Sequence, residues 1–134
     1  MIHKKTLILA ILIAFSGVGI VQGKVKKGTI NKVKKNDTAT FNEIVHSEGI
    51  VVVDFFATWC GPCKRLHPIL KKLAKKNTNI TFVQVDVDQN KNLMQQHKVR
   101  GMPTIVIYKN GVEVFNRAGF MTEKELQKII SRYL

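Results

Sequence analysis

Apolar residues follow two rhythms along this chain. Ile50-Val51-Val52-Val53 and Phe55-Phe56-Ala57 form one run, broken only by Asp54. A run apolar on both sides predicts a strand over 50–57 in the middle of a sheet covered on both faces. Ile80 to Val87 predicts a second central strand, and Thr29–Val33 a first one. Thr104–Tyr108 and Val112–Asn116 flank Lys109-Asn110-Gly111, and Asn-Gly between apolar runs predicts an antiparallel hairpin. The other rhythm is helical. Leu66, Ile69, Leu70, Leu73 and Ala74 share a face opposite Lys71, Lys72, Lys75 and Lys76, which predicts a helix over Cys60–Lys76. Pro68 falls inside it and is expected to kink it. Leu126, Ile129, Ile130 and Tyr133 predict a last helix, opened by the capping-box pair Thr122 and Glu125. Thr40 and Glu43 have the same spacing and predict a short helix over Phe41–Ser47. A further short helix is expected from Asp88 to His97. The predicted order is β-α-β-α-β-α-β-β-α, an α/β chain with a central mixed sheet flanked by helices on both faces.

The first residues stand apart from this scheme. Lys4-Lys5 precede a nearly all-apolar stretch from Thr6 to Val21, and small residues follow. That profile predicts a signal peptide over 1–23, with Val21-Gln22-Gly23 or Ala14-Phe15-Ser16 as cleavage site. An uncleaved membrane anchor is the rival, although Lys24, Lys26 and Lys27 oppose export of the following side. Residues 24–35 read as a Lys-rich linker running into the first strand, and 29–134 as the folded domain. The expected location is exported, periplasmic or membrane-anchored facing outside, with the cytoplasm as the lesser alternative.

Charge sharpens that division. The 134 residues carry 22 Lys and Arg against 9 Asp and Glu, a formal charge of +13. Residues 1–35 contribute eight lysines and no acids, so the domain behind them is only moderately basic. A lysine run can touch anionic lipid or nucleic acid. Without aromatic interleaving or a base-reading motif, nucleic-acid binding is not expected.

Two cysteines, Cys60 and Cys63, carry the candidate chemistry. They are too few for a stapled scaffold, and a disulfide across two residues closes too short a loop to stabilise much. They sit where a buried strand gives way to a helix. Free N–H groups and the helix dipole there favour negative charge, lower a thiol's pKa and make Cys60 the better nucleophile. Cys63, one turn on, is placed to attack a mixed disulfide formed at Cys60. A structural zinc site is disfavoured, because four ligands are needed and no second cysteine pair exists. No metal or cofactor is expected, and neither a phosphate-binding Gly-rich loop nor a serine-centred triad is present. Asp54, in an apolar run, is expected to be desolvated with a raised pKa, and to accept and return the Cys63 proton.

Trp59-Cys60-Gly61-Pro62-Cys63-Lys64 resembles the active-site motif of the thioredoxin family. Asp54, Pro68, Pro103, the Asn-Gly turn and Gly119 follow in the matching order, so the resemblance covers about Thr29 to Leu134. It implies a thioredoxin fold and a thiol–disulfide oxidoreductase, most simply a protein-disulfide reductase. It places Asp54 beneath the second cysteine. It makes Pro103 cis and close to the cysteines, with the Met102 backbone pairing to the substrate chain as an added strand. Trp59, Gly61 and Pro62 complete the substrate surface, and Lys64 helps hold the thiolate. Implied partners are protein disulfides and a dithiol electron donor, membrane-bound if the protein is exported and thioredoxin reductase if it is cytoplasmic. A monomer is expected.

Two positions depart from the pattern. Gln84 stands where many thioredoxins have a lysine paired with the buried aspartate, and without that cation Asp54 is harder to ionise. His67, four residues after Cys63, replaces a small residue. It reads either as a packed, half-exposed histidine or as a proton relay tuning Cys63, a substitute for the missing cation. Direction is less defined than chemistry. Gly61-Pro62 resembles reducing thioredoxins, while an exported oxidase or isomerase is an alternative. A redox-independent binding or chaperone module, using an apolar rim of Trp59, Met102 and Phe120, is another.

Overall fold

Alternate residues of the central strands bury themselves in opposite directions, and that alternation builds the molecule's two core layers. In the computed structural model, which describes residues 25–134, Val51, Val53 and Phe55 face one layer, and Ile50 and Val52 face the other. The elements are β1 (Ile30–Lys32), α1 (Thr38–Val45), β2 (Ile50–Phe56), α2 (Gly61–Lys76), β3 (Thr81–Asp86), α3 (Lys91–Gln96), β4 (Thr104–Lys109), β5 (Val112–Ala118) and α4 (Glu123–Ser131). The sheet order is β1-β3-β2-β4-β5. β1, β3 and β2 are mutually parallel, and β4 and β5 are added antiparallel.

Helices cover both faces. Phe41, Ile44 and Val45 of α1 and Leu93 of α3 enter the first layer. Leu66, Leu70 and Leu73 of α2 and Leu126, Ile129 and Ile130 of α4 enter the second. Each fully buried Phe, Leu or Ile contributes on the order of 1.5–3 kcal/mol. β2 lies at the centre of this mass, and its C-terminal end feeds directly into the start of α2. The expected order of elements and the mixed sheet are therefore present, among the described residues, as the pattern predicted.

Several boundaries move for local reasons. α1 begins at Thr38, and its cap is Asp37, whose carboxylate accepts from the Thr40 N–H at 3.1 Å. Thr40 thus lies inside the helix and the predicted Thr40–Glu43 box does not form. α3 is shorter than expected, because Asp88-Gln89 belong to a turn and Asn90 is the N-cap. α4 opens as predicted, with both bonds of the Thr122–Glu125 box made. The Asn-Gly turn has φ of +50° at Asn110 and +81° at Gly111, the left-handed pair that such hairpins require. α2 runs through Pro68 without a break in the helix.

Among the described residues, no helix is long and apolar enough to cross a membrane. The segment predicted as signal peptide or anchor, 1–23, lies outside the described residues.

Candidate active site: a dithiol pair at the start of α2

Cys60 is the N-cap of α2 and Cys63 lies in its first turn, so the two sulfurs meet at the helix's positive end. They are joined in a disulfide, with Cα atoms 5.3 Å apart. The Cys63 N–H donates to the Cys60 sulfur at 3.2 Å. A donor in that position favours a thiolate over a thiol once the pair is reduced. Pro62 suits this turn because its fixed φ fits the first helical residues and its missing N–H has no bond to lose there. Both cysteines are buried, while Gly61 and Pro62 between them are exposed.

Trp59 stands beside the pair, 66% exposed. Its indole N–H donates to the Asp88 carboxylate at 2.9 Å, which fixes the ring's direction. Asp88 carries no motif of its own, so this partner was not legible in the sequence. Met102-Pro103 is a cis peptide, and Met102 packs against the core layer that holds both cysteines. The Pro103 carbonyl accepts from the Gly119 N–H at 2.7 Å, and the Thr104 hydroxyl donates to the Gly101 carbonyl at 2.7 Å. Gly119 has φ +103°, a conformation that accounts for glycine there. Among the described residues, no backbone hydrogen bond engages Met102. Met102 is partly exposed, and a backbone without such bonds can pair with an extended chain. Phe120 lies under the Arg65 guanidinium, 5.0 Å from its carbon to the ring centre, and packs against the second core layer.

On β2, Asp54 is 1% exposed. Its register partner on β3 is Gln84, whose amide nitrogen donates to Asp54 Oδ2 at 2.9 Å. Burial raises the Asp54 pKa to about 6, and the Gln84 hydrogen bond only partly opposes this. Asp54 Oδ1 has no hydrogen-bond partner among the described residues. A cleft of about 220 Å³ has Phe56, Cys63, Lys64, His67 and Gln84 on its walls. His67 Nδ1 lies 2.8 Å from the same Gln84 nitrogen. The structure thus brings His67 to Asp54 through Gln84. Among the described residues, no group of three or more His, Cys, Asp or Glu is arranged to hold a metal ion.

A buried cysteine pair at a helix start, a desolvated carboxyl on the strand that precedes it and a cis-proline in the same domain are together the features of a thiol–disulfide exchange protein. The thioredoxin family model matches residues 32–132. A thioredoxin of Echinococcus granulosus is 40% identical over 87 residues, covering 65% of this chain and 81% of its own. A thioredoxin of Plasmodium falciparum is 38% identical over 95 residues, covering 71% and 90%. Among solved structures, a single-site mutant of a thioredoxin from Halobacterium salinarum superposes with a TM-score of 0.74 at 31% identity, over 83% of this chain and 96% of its own. The chain belongs to the thioredoxin family, and it is a thioredoxin-type protein-disulfide oxidoreductase acting on protein disulfides.

Proposed function

We propose that the chain is a protein-disulfide reductase working outside the cytoplasm, delivered or tethered there by its N-terminal segment. The observation that carries the location is the apolar run from Thr6 to Val21 behind a basic start, which lies wholly ahead of the family-matching residues 32–132. The direction is supported by Gly61-Pro62 between the cysteines, the pair that resembles reducing thioredoxins.

The residues take these roles. An extended substrate segment pairs with the free Met102 edge beside Pro103 and lies across Trp59, Gly61 and Pro62. The Cys60 thiolate attacks one sulfur of the substrate disulfide, forming a mixed disulfide and expelling the other sulfur as a thiolate, which takes a proton from water. Asp54 accepts the Cys63 proton on its unpartnered Oδ1, directly or through a water in the cleft. The Cys63 thiolate then attacks the Cys60 sulfur, closes the Cys60–Cys63 disulfide and releases the second substrate thiol. Lys64 favours the thiolates by its charge. The chain acts as a monomer, and outside the cytoplasm a membrane-bound dithiol donor must return two electrons to it.

Fractionation of cells producing the full chain, with protease accessibility and the mass of the mature N-terminus, tests the location. An externally accessible chain, either shortened near residue 23 or full-length in the membrane, agrees with it. A full-length soluble chain inside the cytoplasm refutes it. A Cys60→Ser, Cys63→Ser double variant is expected to lose function in cells. Retained function would mean a binding role instead.

A further inference from the structure

Asp54, Gln84 and His67 come from three elements, β2, β3 and α2, and meet in one line of contacts. A single atom, the Gln84 amide nitrogen, lies 2.9 Å from Asp54 Oδ2 and 2.8 Å from His67 Nδ1. An ionised carboxylate only accepts, so the amide must turn its NH2 group toward Asp54. The second hydrogen of that group then points to Nδ1, which must also be an acceptor. His67 is therefore neutral, with its proton on Nε2. Gln84 is 2% exposed, and its Oε1 has no partner among the described residues. The oxygen does not hold the amide in place, so the two acceptors, Asp54 Oδ2 and His67 Nδ1, together decide which way it faces.

We propose that His67 is a positioning residue for the thiol-resolving step: neutral Nδ1 locks the Gln84 NH2 against Asp54, and protonation of His67 releases the lock. A proton on Nδ1 makes it a donor, so two donors face each other across 2.8 Å. Turning the amide over relieves this, because Oε1 then accepts from Nδ1–H. The same turn presents an oxygen to the Asp54 carboxylate. Asp54 loses its hydrogen bond while still buried, and it takes up a proton in answer. His67 and Asp54 therefore gain their protons together. A plain charge interaction has the opposite sign, since an imidazolium near Asp54 favours the carboxylate. The sign of the coupling thus separates a lock from simple electrostatics.

The surroundings keep the lock closed near neutral pH. Burial, then the charges of Lys71 on α2 and Lys32 on β1, hold the His67 pKa below its usual value. Lys64 is the other charged group on the cleft walls, and Cys63, held in the disulfide, also lines them. Gln84 stands where many thioredoxins have lysine, and a neutral amide can report a neighbour's protonation in a way a fixed cation cannot.

The inference rests on Asp54 as the acceptor of the Cys63 proton. Carbon-13 titration of the Asp54 carboxyl and the His67 ring in the oxidised full chain tests the lock itself. In the wild type we expect the Asp54 curve to be steeper than a single-proton curve and to share its midpoint with His67. His67→Gln retains an acceptor that does not titrate, so it should keep the Asp54 midpoint and lose the steepness. His67→Leu removes the acceptor and should raise the midpoint by about one pH unit. From about 6, that rise slows resolution of a mixed disulfide about twofold at pH 7 and about fivefold at pH 6. A wild-type curve no steeper than one proton, or an Asp54 midpoint unmoved by His67→Leu, overturns the proposal. Asp54→Asn distinguishes the underlying assumption. If it leaves the resolution rate unchanged, Asp54 is not the acceptor, and the proposed part in resolution falls even where the titrations remain coupled.

Discussion

At the scale of single residues, Asp54 sets the largest expected effect. Its folded pKa of about 6 lies above the ordinary aspartate value of 3.8. Between those values the folded state holds more protons than the unfolded chain, so stability falls as pH rises through that window. Above both values the full cost is present, on the order of 3 kcal/mol. Asp54→Asn should therefore stabilise the oxidised protein by up to about that amount at pH 7 and by little at pH 3 to 4, as read from urea melts at each pH. The same variant should slow resolution, exchanging stability for chemistry. His97 works in the opposite sense. It is wedged between Phe41, Phe55 and Tyr108, with ring centroids 5.1, 5.5 and 6.3 Å away, and its Nδ1 lies 3.1 Å from the Tyr108 hydroxyl. Burial lowers its pKa, with Glu113 opposing. The unfolded chain then binds the extra proton, so His97 contributes stability that is lost as pH falls below about 6.5. Replacing His97 with Phe should remove that acid-side loss, and an unchanged slope of stability against pH below 6.5 would contradict this.

At the scale of elements, the caps and turns carry the testable content. The Thr122 hydroxyl accepts from the Glu125 N–H in the α4 box, so Thr122→Ala should cost about 1 kcal/mol. Asp37 plays the same part for α1, with one bond, and Asp37→Ala should cost a similar amount, while Thr40→Ala should cost less than either. Urea melts of the three variants check the order, and a larger loss at Thr40 would reinstate the sequence's reading. That reading failed at α1 because Asp37 and Thr40 are both good capping residues in one stretch, and spacing to Glu43 cannot say which of them leaves the helix. It failed at the start of α3 because the Asp86 carboxylate accepts from the Asp88 N–H and the Asn90 amide donates to the Asp86 carbonyl, holding a turn that resembles a helix start in composition. Gly111 belongs here too. With φ +81° and an added Cβ 3.5 Å from the His46 backbone, Gly111→Ala should destabilise the hairpin chiefly through backbone strain.

At the scale of the whole molecule, most of the design was written where residue type and spacing coincide. The two central strands, the amphipathic α2, the Asn-Gly hairpin and the cysteine pair each carry a local signature, and the structure assembles them as expected. Contacts made only by folding were not legible. Nothing local joins Trp59 to Asp88, or His97 to Tyr108. Gln84 was visible as a departure and His67 as a candidate, but their shared atom required the register of β2 with β3 and the placement of α2. Charge also acts at this scale. Eight lysines precede residue 36 and the domain behind is less basic, so binding of the full chain to vesicles with anionic lipid should exceed that of neutral vesicles and weaken with salt. Equal binding to both would contradict an electrostatic role for the lysine-rich segment.

The claim on which the rest depends is that Cys60 and Cys63 form a reducing dithiol. Its most direct test is the reduction potential of the pair in the full chain, equilibrated against a glutathione or dithiothreitol couple and read by thiol trapping. We expect a strongly reducing value, within a few tens of millivolts of the about −270 mV of thioredoxin. A value above about −180 mV, in the range of disulfide-donating proteins, would contradict the reductase and reverse the direction of electron flow.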